Sequence, residues 1–265
     1  ERFRIGEPGH RTGGAGHELV QQSLAAEAAV HGDVEFTDAA GLVDMSAMSA
    51  MREVSGHFRL IASDVTHVGE LNGLGSLERV GGDLEIVENP SLDDIRLSAL
   101  TSVGGLLRIA NTNLSSADAE RLTTIGGGLV FYRCDRLESV GLNSLVSVEE
   151  GIDITGNGVA VGRAWTFGLP ALQTVGLDVF FRSNTDAATL QMPSLSAALS
   201  LNIEANTELA TLDVGRSMPP LTDIGKSVVV ERNDVLECAQ INGMLERLQV
   251  GLNEVVENNA SAGCP

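Results

Sequence analysis

Val80-Gly-Gly-Asp-Leu-Glu-Ile-Val-Glu-Asn89 is the stretch whose reading decides the fold. It holds an apolar residue, a glycine pair, a short apolar-polar-apolar strand and a closing Asn. The same ten-residue frame recurs in Val148-Glu-Glu-Gly-Ile-Asp-Ile-Thr-Gly-Asn157 and in Ile224-Gly-Lys-Ser-Val-Val-Val-Glu-Arg-Asn233. Working outward, frames start at Val30, Val54, Val80, Val103, Ile125, Val148, Val175, Ala197 and Ile224, between 22 and 27 residues apart. Self-similarity at such a period is the signature of a coiled solenoid. Unequal steps are tolerated because stacking fixes only the spacing of about 4.8 Å between neighbouring strands, while outer loops vary in length. The expected architecture is mainly β: a right-handed parallel β-helix, or leucine-rich-repeat-like solenoid, of about nine rungs.

Within the frame the fifth and seventh residues are apolar, as in Leu84/Ile86, Leu129/Phe131 and Val179/Phe181, and are expected to point inward. A second apolar pair between frames, such as Leu97-Ser-Ala-Leu100 and Leu169-Pro-Ala-Leu172, would line the remaining walls of the same core. The tenth position holds Asn89, Asn157, Asn184, Asn206 and Asn233, with Ser63, Thr112 and Cys134 in other copies. An inward Asn at a tight corner can hydrogen-bond the backbone of adjacent turns, so this column is read as structural.

The ends depart from the pattern. Residues 1–16 lack periodicity and read as an arm or tether, and residues 17–29 have the apolar spacing and residue types of a capping helix. Repeats occupy 30–233, all in a single domain covering 17–265. Residues 234–265 read as a C-terminal cap, with an amphipathic helix from Glu237 to Leu248 and a strand-like piece at Glu254-Val-Val-Glu257. Cys238 and Cys264 bracket this cap while Cys134 sits alone inside a repeat, which suggests one terminal disulfide, one buried thiol and an oxidising compartment.

With 17 Lys and Arg against 36 Asp and Glu, a net charge of −19 repels phosphate backbones and anionic membranes, which excludes nucleic acid as a partner. No run approaches the roughly 20 apolar residues needed to span a bilayer. Asp93-Asp94 and Glu149-Glu150 lack the ligand count of a calcium loop. The histidines at 10, 17, 31, 57 and 67 lack zinc-ligand spacing. There is no nucleophile elbow and no phosphate-binding loop, so no catalytic residue, metal or cofactor is assigned.

The outward positions are the fourth, sixth and eighth. The sixth column begins Glu35, Arg59, Glu85, Arg108, alternating in sign as in a cross-strand ion ladder. Ile61, Val87, Ala110, Val130 and Tyr132 would form an exposed apolar strip, which Phe180 extends two rungs later. Such strips mark contact surfaces, so these six residues are the candidate partner-binding face. Cover by a loop or by the arm, or simple strand preference, are the competing readings.

The leading helix, the Val-Gly-Gly-x-Leu-x-Ile strands, the Asn-x-x-Leu corners and the closing Asn233-Asp-Val-Leu-Glu-Cys238 together resemble the receptor L domain, the leucine-rich β-helix of growth-factor and insulin receptor ectodomains. The likeness covers roughly His17 to Cys264 and is strongest to bacterial surface or lipid-anchored members. It implies a right-handed single-stranded solenoid used for recognition, without enzymatic activity. This chain lacks the front-cap cysteine pair and the cysteine-rich modules of the receptors and has more repeats, so no receptor contact residue carries over. The expected function is therefore a non-enzymatic extracellular or cell-surface recognition or adhesion module for a protein or glycan. Two other classes compete: a polysaccharide-degrading β-helix enzyme, disfavoured by the 3% aromatic content, and a passive spacer.

Overall fold

In a computed structural model of the chain, the structure describes residues 2–5, 28–37, 45–62, 72–158, 162–215, 223–246 and 253–257. It is mainly β, with 45% strand and 6% helix, and its parallel sheet forms a solenoid of about seven turns. That corrects the expectation of nine. A frame marks one passage through a single wall, whereas a turn requires a return path, and among the described residues return-wall strands run from Asp94 to Val214.

Each circuit has three straight parts. A two-residue strand, such as Arg79–Val80, Ser102–Val103 or Thr124–Ile125, carries the first frame residue inward. A corner follows, made by a glycine pair at 81–82, 104–105 and 126–127 and by Glu149-Glu150-Gly151 in the next frame, and leads to the front strand, as in Leu84–Val87, Leu107–Thr112, Leu129–Cys134 and Ile152–Thr155. The return wall holds two three-stranded parallel sheets: Asp94–Arg96, Ser116–Asp118 and Ser139–Gly141, then Trp165–Gly168, Ala187–Met192 and Thr211–Val214. All described pairings are parallel and most are in strict register, with Leu84, Leu107, Leu129 and Ile152 stacked in one column.

The inward pairs of the seven frames from Leu84/Ile86 to Val228/Val230 are at most 2% exposed. The Leu-x-x-Leu corners are equally buried, each closed by a backbone hydrogen bond such as Leu100 N–H to the Leu97 carbonyl at 3.0 Å. Trp165 and Phe167, in a long step, are core residues. The Phe167 ring bridges the walls, 6.5 Å from Phe131 and 5.8 Å from Phe181 between centroids.

The glycine pair is needed because successive corners nest. A Cβ on Gly81 would lie 2.2 Å from the Ser55 carbonyl oxygen, one on Gly104 2.1 Å from that of Gly81, and one on Gly126 2.3 Å from that of Gly104. In the last two frames single strands Ala197–Glu204 and Asp223–Glu231 run straight through the corner, with a register shift between Ala198 and Ser200. Ala198, opposite Ile224, is therefore the inward residue of the eighth frame in place of Ala197.

At the N-terminal end the expected arm contributes a strand: Arg2–Ile5 pairs in parallel with Asp33–Phe36 of the first frame. A tether was expected because four residues are too short to show a period. The rest of the arm and residues 17–27 of the expected helix lie outside the described residues. Ala29, assigned to that helix, belongs instead to the strand Ala29–Val30, held by pairing with Glu53–Val54.

At the other end Cys238–Leu245 forms the expected helix, with Ile241 and Met244 buried. Gln240 takes the place of a further return strand: its Oε1 accepts from Leu212 N–H at 2.9 Å while its Nε2 donates to the Ala210 carbonyl. One side-chain amide thus satisfies the donor and acceptor of an otherwise open edge. Asn253–Glu257 then returns to the front wall and pairs with Ser227–Glu231. Among the described residues no helix is long and apolar enough to cross a membrane.

Candidate recognition face

The Asn column is the interior boundary of the front wall. Asn89, Asn157, Asn184, Asn206 and Asn233 are 0% exposed. Each Nδ2 donates to the seventh-position carbonyl of the preceding frame: Leu60, Phe131, Ile154, Phe181 and Ile203, at 2.8–3.0 Å. The second Nδ2 proton of Asn157 goes to Asn184 Oδ1, that of Asn184 to Asn206 and that of Asn206 to Asn233. The Oδ1 of Asn157, Asn184, Asn206 and Asn233 also accepts the backbone N–H one turn back, as Asn157 does from Cys134 at 3.0 Å. Ser63, in the same column, lies outside the described residues.

The column is reached through a sharp bend. The ninth frame position is left-handed in every frame where it is described: Ala62, Glu88, Asn111, Arg133, Ser183, Ala205 and Arg232 have φ between 50° and 58°, and Gly156 has 70°. An L side chain disfavours that region by about 1–2 kcal/mol, and the buried amide that follows over-determines it.

Cys134 occupies an Asn place. Its Sγ lies 3.7 Å from the Ile109 carbonyl, where an Nδ2 would donate, and accepts from Thr112 Oγ1 at 3.4 Å. Burial pushes its pKa up to about 11 against the smaller opposing effect of the Thr112 hydrogen bond. Cys134 is therefore a thiol at neutral pH and is expected not to react with a thiol reagent at pH 8 until the protein unfolds, read by mass labelling across a urea series. Cys134→Asn would extend the amide ladder and is expected to raise stability by about 1 kcal/mol.

On the outward side the sign-alternating ladder forms. Arg59 Nε donates to Glu85 Oε1 at 2.7 Å, Arg59 Nη2 lies 3.4 Å from Asp83, and Arg108 reaches Glu85 at 4.0 Å. The Arg59 pKa is raised: partial burial acts to lower it, but the Glu85 hydrogen bond and the charges of Glu85, Asp83 and Glu35 outweigh that. Beside it runs a ladder that reading the sequence missed. Asp33 Oδ1 accepts from His57 N–H at 3.0 Å, His57 Nδ1 from Asp83 N–H at 2.9 Å, and Asp83 Oδ1 from Leu106 N–H at 2.9 Å. Its signal was present, since polar Asp33, His57 and Asp83 hold the fourth position of three successive frames.

The candidate apolar strip is only partly open. Val87 is 7% and Ala110 0% exposed, while Ile61, Val130, Tyr132 and Phe180 are half-buried. This corrects the expectation of a continuous exposed strip: Ala110 stands in register between Val87 and Tyr132, so larger neighbours flank its methyl group. The aromatic rings carry cations. The Arg133 guanidinium lies 5.3 Å from the Tyr132 centroid and that of Arg182 4.2 Å from Phe180. Outward carboxylates are already engaged, Asp153 by the Thr155 hydroxyl and Asp178 by the Ser200 hydroxyl.

On the return wall Asp118 stands in register between Arg96 and Gly141. Its pKa is raised, first by desolvation, then by the charges of Asp94 and Glu120, with Arg96 opposing. An acid whose folded pKa is raised contributes stability that is complete below its unfolded pKa, about 3.9, and is lost as pH rises through the folded value. Asp118→Asn is therefore expected to melt above the parent protein at pH 7 and level with it at pH 3.

The described residues contain no group of three or more His, Cys, Asp or Glu placed to hold a metal ion. No family model matches the chain, and no solved structure matches it.

Proposed function

We propose that this protein is a non-enzymatic recognition or adhesion module of the extracellular space or cell surface, binding a protein or glycan through the front wall, as its resemblance to the receptor L domain implies. One observation carries the reading. The wall is an in-register parallel sheet whose outward rows present half-buried Ile61, Val130, Tyr132 and Phe180 beside stacked arginines, the composition of a contact surface. On this wall Asp33, Asp83, Asp153 and Asp178 are engaged in side-chain and backbone hydrogen bonds, which disfavours a hydrolytic pair built from them.

Binding of labelled protein to a glycan array and to intact cells, with and without calcium, tests it. Selective binding lost in Tyr132→Asp or Phe180→Asp, with an unchanged melting temperature, supports the reading. Val87 is too buried to serve as such a probe. No binding to any cell or glycan overturns it in favour of a spacer, and calcium-dependent release of reducing ends overturns it in favour of an enzyme.

The C-terminal cap is part of the same proposal: Cys238, which opens the helix, pairs with Cys264, which lies outside the described residues, while Cys134 is a free buried thiol. Peptide mapping without reduction should recover the 238–264 pair. Its reduction is expected to destabilise the last turns by about 2–4 kcal/mol.

A further inference from the structure

On the reading that the front wall is a recognition surface, we infer that the notch between Arg133 and Arg182, floored by Thr155 and Gly156, binds the carboxylate of a uronic-acid residue in an otherwise neutral glycan. Tyr132, Thr155 and Arg182 are consecutive in one register row. Tyr132 and Arg182 therefore stand about two strand spacings, roughly 10 Å, apart, and Arg133 follows Tyr132 on the same strand. Between them Gly156 is the one described ninth-position residue without a side chain, and its Cβ position would face Arg133 Cγ at 3.7 Å. The row of side chains at this bend is interrupted there alone among the described frames.

The two cations are held ready and uncommitted. Each guanidinium lies over its own aromatic ring, which fixes its plane. Acids outnumber bases 36 to 17, yet neither arginine has a carboxylate partner among the described residues. Glu204, opposite Arg182 in register, is turned to Arg232 at 3.7 Å. The Arg182 Nε is buried without an acceptor, so no described group draws this guanidinium away from the notch. A planar carboxylate is the anion that a guanidinium fork matches in two parallel hydrogen bonds.

The choice of glycan over peptide follows from the wall itself. Strand Ile152–Thr155 is paired on both sides, so its backbone offers a peptide no edge to extend. The rim is hydroxyl, amide and carboxylate, from Thr155, Asn202 and Asp153, groups that suit sugar hydroxyls. The net charge of −19 repels densely charged polyanions at long range, which favours an isolated carboxylate.

The test is calorimetric titration of the intact protein with glucuronosyl-xylotriose, a neutral glycan that carries a single uronate, with its methyl ester and with a hexaglutamate peptide. The acid form should bind and the ester should not. Arg182→Gln should weaken binding about tenfold, as for loss of one charged bidentate contact. Arg182→Lys should recover only part of it, and the exposed, distant Arg79→Gln should leave it unchanged. Melting curves of all variants establish that each is folded. Equal binding of acid and ester, no binding of the acid, or unchanged binding in Arg182→Gln overturns the inference, and preference for hexaglutamate reassigns the notch to acidic peptides and overturns it equally. A neutral glycan bound through Phe180 without any uronate binding would sink this inference and leave the recognition reading standing.

Discussion

Asn184→Ala is expected to destabilise the protein by about 3–5 kcal/mol, from several buried polar groups at roughly 1–3 kcal/mol each less partial relaxation. Asn184 Oδ1 accepts from the Asn157 backbone N–H at 3.2 Å and from Asn157 Nδ2 at 3.0 Å, while Asn184 Nδ2 donates to the Ile154 carbonyl at 2.8 Å and to Asn206 Oδ1 at 3.1 Å. Alanine leaves these four partners facing a void from which water is excluded, in the middle of a column that is 0% exposed. Urea denaturation of variant and parent measures the loss.

Asn184→Asp separates shape from donor chemistry. The carboxylate still accepts from Asn157 but points its other oxygen at two acceptors, Ile154 O and Asn206 Oδ1, so its charged form is disfavoured in the fold and its pKa rises. By linkage its stability deficit grows as pH rises above the unfolded value of about 3.9 and shrinks on acidification. A deficit independent of pH, or a loss below 1 kcal/mol in Asn184→Ala, would contradict the ladder.

Gly104→Val should destabilise by about 3 kcal/mol or more, at the upper end of overpacking effects. The Cβ position meets the Gly81 carbonyl oxygen at 2.1 Å, and because Gly126 nests on Gly104 at 2.3 Å in the same way, the clash cannot be relieved by shifting one corner outward. In a stacked solenoid each turn contacts only its neighbours, so the damage should appear in hydrogen exchange as lost protection in the flanking front strands, with the C-terminal turns retained. Gly162→Ala provides the contrast: nothing lies within 4 Å of its Cβ position, and the expected loss is only the left-handed conformational term of about 1 kcal/mol.

How much of this was legible in the chain depends on whether the signal repeats. The inward columns from Leu84/Ile86 onward and the amide column recur once per frame, and a residue that recurs in register meets the same environment each time. The αL bend was not legible, because its residues, Ala62, Glu88, Asn111, Arg133, Ser183, Ala205 and Arg232, share no chemistry. They are placed by the Asn that follows. The strand at Arg2–Ile5 was illegible because it pairs with residues some thirty positions away and has no frame of its own.

The outward face shows the division most clearly. Alternation placed Val87, Ala110 and Tyr132 on the same side of the wall, and the register confirms that they neighbour one another. Exposure is set by what stands beside and above each side chain, so only the folded structure could bury Ala110, lay Arg182 on Phe180 and turn Glu204 toward Arg232. The sequence by itself determined the parallel stacked architecture, the apolar interior and the amide column, because these follow from a local period repeated at fixed strand spacing. Tertiary structure alone decided the number of complete turns, the capping of the return wall by Gln240 and which arginines stay without an acid partner among the described residues, because each depends on contacts between residues that no period relates.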